Sequence, residues 1–307
     1  MSISSNSKNG IEILTIKNDH LELSIAPALG GKIISLFNKN LQKEFLWTNK
    51  NLSLKINNSG DDYDSNFIGG IDELIPNDIP ETIDSISYPD HGELWTTRLN
   101  HEITGNKIKL SGALALSGLH YSKIIYLDQD SPIVFLDYKI KNQTNSRRHF
   151  LWKLHAALNI EAGDKIITKA KHAKVVDPKY SRFTDTNEFM WPVIENTDAS
   201  VIPPDNNTMD FFYLYEIPSA EMQMVSGDNK SLFGYQYDKK IFPYQWYFAS
   251  YGGFLNHYTA ILEPCSGMPI SVNEAKEKKQ CTILEPGDEL TTTVKIFAGE
   301  KELYSHT

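Results

Sequence analysis

Short runs of alternating apolar and polar residues, separated by turn signals, fill most of this chain, and helical periodicity is scarce. Ile11-Glu12-Ile13-Leu14-Thr15-Ile16 and Leu21-Glu22-Leu23-Ser24-Ile25 alternate on either side of Asn18-Asp19-His20, which predicts a hairpin. Lys32 to Leu36 follows a Pro27 to Gly31 turn and reads as the next strand. Further strands are predicted at His101 to Ile103, Lys107 to Ser111, Tyr121 to Leu127, Ile133 to Ile140 and His149 to Ile160. The later chain repeats the pattern at Ile166 to Thr168, Ala173 to Val176, Phe211 to Tyr215, Glu221 to Val225, Ser231 to Tyr237, Ala249 to Leu262, Cys281 to Leu284 and Leu290 to Phe297. Asn49 to Asn66 is rich in Asn, Ser, Asp and Gly and predicts a long loop, of the kind that is functional or disordered in a compact domain. Many short strands with turns between them predict an all-β fold, a large antiparallel sandwich. No internal repeat or linker interrupts the pattern, so residues 1–307 are expected to form one domain.

Composition narrows the class. Hydrophobic residues make up 40% of the 307 and charged residues 22%, enough apolar side chains for a large core and too few charges for global disorder. The net charge of −9 and pI of about 5.5 argue against nucleic acid and anionic membrane surfaces as partners. The Ser/Asn-rich start has no apolar signal-peptide core, and no apolar run approaches the ~20 residues of a membrane helix. With only Cys265 and Cys281, a disulfide framework is excluded, and a cytoplasmic location is expected.

Three stretches carry candidate chemistry. Ser87-Tyr88-Pro89-Asp90-His91-Gly92-Glu93-Leu94-Trp95 gathers a histidine and carboxylates at a Pro/Gly turn, with a strand predicted from Trp95 to Leu99. In Phe150 to Ile160, strand parity puts Phe150, Trp152, Leu154, Ala156 and Leu158 on one apolar face and Lys153, His155, Ala157 and Asn159 on the other. Small alanines beside His155 leave room for a ligand at the imidazole, although a lone strand histidine is more often held in a structural hydrogen bond. Glu263 ends an apolar strand just before Pro264, where partial desolvation raises a carboxyl pKa toward the range useful for a general base. Trp95, Trp152, Tyr244, Trp246, Tyr247 and Tyr251 would suit sugar stacking, though core packing is the commoner role for such residues. There is no GxSxG, Walker A, dinucleotide fingerprint or HExxH motif. The histidines lack zinc-ligand spacing, so no metal and no cofactor are expected, while a hard-cation site built from distant carboxylates stays open.

Taken together these stretches resemble the aldose 1-epimerase, or galactose mutarotase-like, superfamily. The resemblance rests on Ile25-Ala26-Pro27 to Gly30-Gly31-Lys32-Ile33, the His91-Gly92 pair, His155-Ala156-Ala157-Leu158-Asn159, Ala260-Ile261-Leu262-Glu263-Pro264 and Leu284-Glu285-Pro286-Gly287-Asp288, in that order over nearly the whole chain. It implies a β supersandwich whose concave sheet holds a sugar. It implies Glu263 as the base that takes the anomeric hydroxyl proton, His155 as the acid that protonates the ring oxygen, and His91 as a second donor. Ring opening, rotation about C1–C2 and reclosure then exchange the anomers.

The chain departs from the family where Gly69-Gly70-Ile71-Asp72-Glu73-Leu74-Ile75-Pro76 replaces an arginine–asparagine motif, a version closer to less characterised and hexose-6-phosphate epimerase-like branches. The family's substrate-holding aspartate has no clear counterpart, Asp238 being out of pattern. Substrate-binding candidates are Asp72, Glu73, Glu93, Trp95, Arg98, Lys153, Asn159 and Trp246. Of these, Glu93 would bond a sugar hydroxyl or orient His91, and Arg98 is the best placed for a phosphate, although its parity sets it opposite Glu93 and Trp95. The expected function is therefore an isomerase of sugar anomers in carbohydrate metabolism, with a small-molecule carbohydrate as partner. The alternatives are a non-catalytic carbohydrate-binding protein and a hexose-6-phosphate 1-epimerase-like enzyme.

Overall fold

Two antiparallel sheets face each other across one extended apolar core. The structure, a computed structural model, describes residues 1–185 and 187–304. The larger sheet runs, in spatial order, Ser2–Lys8, Ile11–Lys17, Leu21–Ala26, Lys32–Asn38, Ile71–Leu74, Lys153–Leu158, Tyr258–Cys265, Tyr244–Tyr251, Thr208–Tyr215, His172–Val175 and Glu188–Met190. The smaller runs Lys165–Thr168, Glu221–Val225, Ser231–Gln236, Glu289–Glu300, Ile133–Asn142, Leu119–Leu127, Lys107–Ala113 and Asn100–Thr104. Leu23, Leu154, Ala156 and Leu262 from the first sheet meet Ile125, Leu136, Val294 and Ile296 from the second in the core between them. The all-β sandwich expected from the alternation is the fold observed. Among the described residues no helix is long and apolar enough to cross a membrane.

Three predicted elements differ. The stretch 149–160 is not one strand: Arg148–Phe150 pairs with Thr282–Leu284 in a small sheet of its own, and Lys153–Leu158 joins the large sheet. The break falls where Leu151 N–H donates to Pro76 O and Trp152 N–H to Ser266 Oγ, so the ladder's donors are used elsewhere. The stretch 249–262 likewise divides into Tyr244–Tyr251 and Tyr258–Cys265. After Gly92 the chain forms a short 3₁₀ turn, Leu94–Thr96, instead of a strand, closed by Thr97 N–H to Leu94 O at 2.8 Å. Several strands went unpredicted, among them Ile71–Leu74 and Glu188–Met190 in the large sheet and Ser2–Lys8 at its edge. Ser2–Lys8 pairs along its whole length with Ile11–Lys17 as the sheet's edge, and it is exposed on both faces, so no hydrophobic period marks it.

Candidate active site

Strand register builds the site. In the large sheet His155 pairs with Asp72 on one side. On its other side, the register that matches Lys153 with Cys265 and Ala157 with Ile261 sets His155 directly opposite Glu263. Glu263 in turn faces Trp246, and Trp246 faces Tyr213. Directly opposed residues share a sheet face with Cβ atoms roughly 4.5–5.5 Å apart. Asp72, His155, Glu263, Trp246 and Tyr213 therefore form one row across neighbouring strands. The parity expected for residues 150–158 holds, with Leu154 and Ala156 in the core and Lys153 and His155 on the opposite face. That face bounds a cavity of about 490 Å³ lined by His91, Lys153, His155 and Glu263 among others.

Loops complete it. The segment after Ile71–Leu74 and the His91 loop are zipped together: His91 N–H donates to Asp78 O at 2.7 Å, Glu93 N–H to Ile75 O at 3.0 Å, and the Asn77 amide to Ile79 O and Pro89 O. His91 thus lies with Nδ1 2.9 Å from Asp90 Oδ2 and Nε2 4.0 Å from Asp78 Oδ1. Gly92 makes this approach possible, since it has φ +71° and a Cβ there would sit 2.2 Å from Ile75 O. Gly92→Ala is expected to destabilise the fold by about 1–3 kcal/mol and to displace His91, measurable by thermal unfolding and the His91 ring signals.

The long loop contributes Tyr63. Asp62 caps a single helical turn, Tyr63–Asn66, by accepting Ser65 N–H at 2.8 Å, and the turn drives Tyr63 inward. Its ring stacks on His91 at 3.9 Å with 9° between planes. Its hydroxyl donates to Asp72 Oδ2 at 2.9 Å and lies 3.4 Å from His155 Nδ1. Lys32 Nζ holds the same Asp72 oxygen at 2.8 Å.

Lys153 bridges two carboxylates. Its Nζ lies 2.8 Å from Glu263 Oε2, pairs with Asp78 Oδ1 and sits 4.8 Å above the Trp246 ring. All three charged groups are buried. Burial raises the Glu263 pKa against the opposing pull of Lys153, so the acid is less acidic than usual while its partner favours the carboxylate. At Asp78 burial acts the same way, but Lys153 and His91 outweigh it and the pKa falls. The histidines are driven apart. Burial depresses His91, yet Asp78 and Asp90 win and its pKa rises; burial and the charges of Lys153, His91 and Lys32 push His155 well below the usual histidine value. An NMR titration of the histidine ring signals is expected to show His91 charged up to a higher pH than free histidine, with His155 neutral throughout the neutral range.

Of the residues singled out from sequence, Glu263, His155, His91 and Lys153 come together at the cavity. Asp90, beside His91, lines it too, and the other candidates do not. Asp72 is on the right face but lies beneath Tyr63, committed to Lys32. Glu73 points into the sandwich core, where Lys123 Nζ and the Tyr138 hydroxyl bond it at 2.8 and 2.6 Å. Glu93 accepts the backbone N–H groups of Leu116 and Ser117, tying two loops together. Trp95 packs edge-on against Tyr63. Trp246 is fully buried under Lys153, with its N–H on Gly267 O. The Asn159 amide donates to Glu44 O and Leu46 O, and Arg98 is exposed outside the lining. Asp78, Tyr63 and His257 also line the cavity, with no motif in the sequence to mark them. Only the loop length around Tyr63 hinted at any of them. Among the described residues no three His, Cys, Asp or Glu side chains are grouped to hold a metal ion.

No family profile matches the chain and no curated protein matches it in sequence. Solved structures do match its shape. A galactose mutarotase-like protein from Clostridium acetobutylicum is 12% identical, with 98% of this chain and 99% of that chain covered and a TM-score of 0.72. A galactose mutarotase-like protein from Lactobacillus casei is 17% identical, with coverage of 93% and 99% and a TM-score of 0.67. A galactose mutarotase related enzyme from Lactobacillus acidophilus is 13% identical, with coverage of 93% and 97% and a TM-score of 0.68. The chain has the galactose mutarotase-like fold.

Proposed function

We propose that this cavity binds an aldose and exchanges its anomers by acid–base ring opening. The observation that carries the reading is the direct opposition of His155 and Glu263 on adjacent strands at the floor of the cavity, with His91 brought in from a loop. Expelling the ring oxygen as an alkoxide is unfavourable unless a proton arrives as the anomeric proton leaves, so the reaction needs a base and an acid on one substrate. Glu263 is the base: burial makes it more basic than a free carboxylate, and Lys153 beside it pulls the other way, toward the carboxylate. The resemblance expects the proton to come from His155. The electrostatics favour His91, whose proton its aspartates hold to higher pH than in free histidine, with His155, pushed toward its neutral form, as the hydrogen-bond partner that fixes the reacting oxygen. Likeness in fold to galactose mutarotase-like proteins supports the same reading.

Of the two alternatives, the sugar phosphate fits poorly. Among the described residues the lining holds no arginine, and its lysine is already matched by Asp78 and Glu263, while Asp64, Asp90 and Asp177 add negative charge. The test is exchange spectroscopy by NMR on a panel of neutral aldoses. Exchange above the buffer rate is expected for at least one sugar. Sugar-dependent stabilisation with exchange at the buffer rate throughout would instead identify a binding protein.

A further inference from the structure

The cavity has two chemically different halves, and the register separates them. One step along the strands from the His155–Glu263 row lies a second row on the same face: Ala157, Ile261, Phe248 and Phe211. It contains no polar side chain. Ile261, Phe248 and Phe211 line the cavity, and Met209 and Phe254 extend the apolar wall. Phe254 closes edge-on against Phe248 at 5.5 Å, and Phe248 meets Phe211 at 6.0 Å. Phe211, Phe248 and Phe254 remain only half-buried.

Asp177 and Tyr180 stand at the rim of this wall, and the other polar groups that border it are already committed. The Thr259 hydroxyl donates to Leu158 O at 2.9 Å, Ser250 Oγ donates to His257 O at 2.7 Å, and His257 Nε2 pairs with the Asn49 amide at 3.3 Å. A sugar hydroxyl turned onto Ile261, Phe248 and Phe254 would leave water and find no partner there, which is costly. A methyl or acyl group there would cover aromatic surface that otherwise faces water.

We propose that the wall of Ile261, Phe248, Phe211 and Phe254 is a subsite for an apolar group on the substrate, so that the preferred ligand is an aldose deoxygenated or acylated on the side away from its anomeric carbon. The word aldose rests on the function proposed above, and the apolar subsite rests on the register. The anomeric carbon lies over His155 and Glu263, and the remote side of the ring lies over the phenylalanines.

Calorimetric binding separates the two readings, because it does not depend on turnover. Glucose and galactose would be compared with their singly deoxygenated forms and with their acetyl esters at the exocyclic carbon. At least one modified sugar is expected to bind about tenfold or more tightly than its parent, in the range that one apolar group contributes in a hydrophobic pocket. In Phe248→Asn, and independently in Phe254→Asn on the turn, that preference is expected to fall toward parity. If every parent sugar binds as well as its modified forms, or no sugar binds, the subsite proposal is wrong. Preference retained without anomer exchange supports the subsite and overturns the catalytic reading alone.

Discussion

Glu263→Gln is expected to lower the rate of protein-catalysed anomer exchange by about 10²–10⁴-fold, the usual contribution of a positioned general base. The amide keeps the shape of the side chain and its place opposite His155, but it has no lone pair basic enough to take the anomeric proton. Lys153 loses one of its two anionic partners and keeps Asp78, so the local fold is held. Exchange spectroscopy reads the rate, and thermal unfolding checks that the variant is folded. A folded Glu263→Gln protein exchanging anomers at the wild-type rate would remove Glu263 from the mechanism.

The second large effect belongs to Lys153→Met. Removing one member of a buried ion pair typically costs about 3–5 kcal/mol, because the remaining charge stays buried without a counter-ion. Here two carboxylates, Asp78 and Glu263, would face each other in a dry wall. Their folded pKa values would rise above the ordinary carboxylate value of about 4, as both lose the charge that now lowers them. A carboxyl whose folded pKa is raised stabilises fully below its unfolded pKa and loses that contribution as pH climbs through the folded value. Stability of the variant should therefore decline as pH rises from about 4 toward neutrality. In the wild type, Asp78, whose pKa is depressed, works in the opposite sense, and its contribution is lost as pH falls. Denaturant titrations at several pH values measure both trends. The acid limb of the exchange rate should also move to higher pH, since Glu263 without Lys153 ionises later. Lys153→Arg should restore stability and the limb in part, an outcome that a purely space-filling role for Lys153 does not predict.

Much of the sheet was legible because its signal is local. Alternation with period two marked the hairpin of residues 11–25, the strands of the smaller sheet and the two faces of 153–158, all as observed. The same rule states that Asp72 and Glu73 point in opposite directions. It cannot state which faces the cavity. That depends on the far side of the sandwich, where Lys123 and Tyr138 capture Glu73. Glu93 shows the same limit from a loop: nothing near it in the chain reveals that its carboxylate will cap the N–H groups of residues more than twenty positions away.

By itself, then, the sequence determined an antiparallel β sandwich and placed Lys153 and His155 on one face. These follow from backbone geometry and burial within a few residues. Glu263, expected at a strand end, lies instead inside Tyr258–Cys265, which runs on through Pro264 in register with Tyr244–Tyr251. Only the tertiary structure decided that the Lys153–Leu158 and Tyr258–Cys265 strands are neighbours, that their register opposes His155 to Glu263, and that Asp78 and Tyr63 reach the same cavity from separate loops. The physical reason is distance along the chain. His155 and Glu263 are brought together by strand pairing across more than a hundred residues, and the energies that select that pairing come from packing the two sheets, not from the residues on either side of the site.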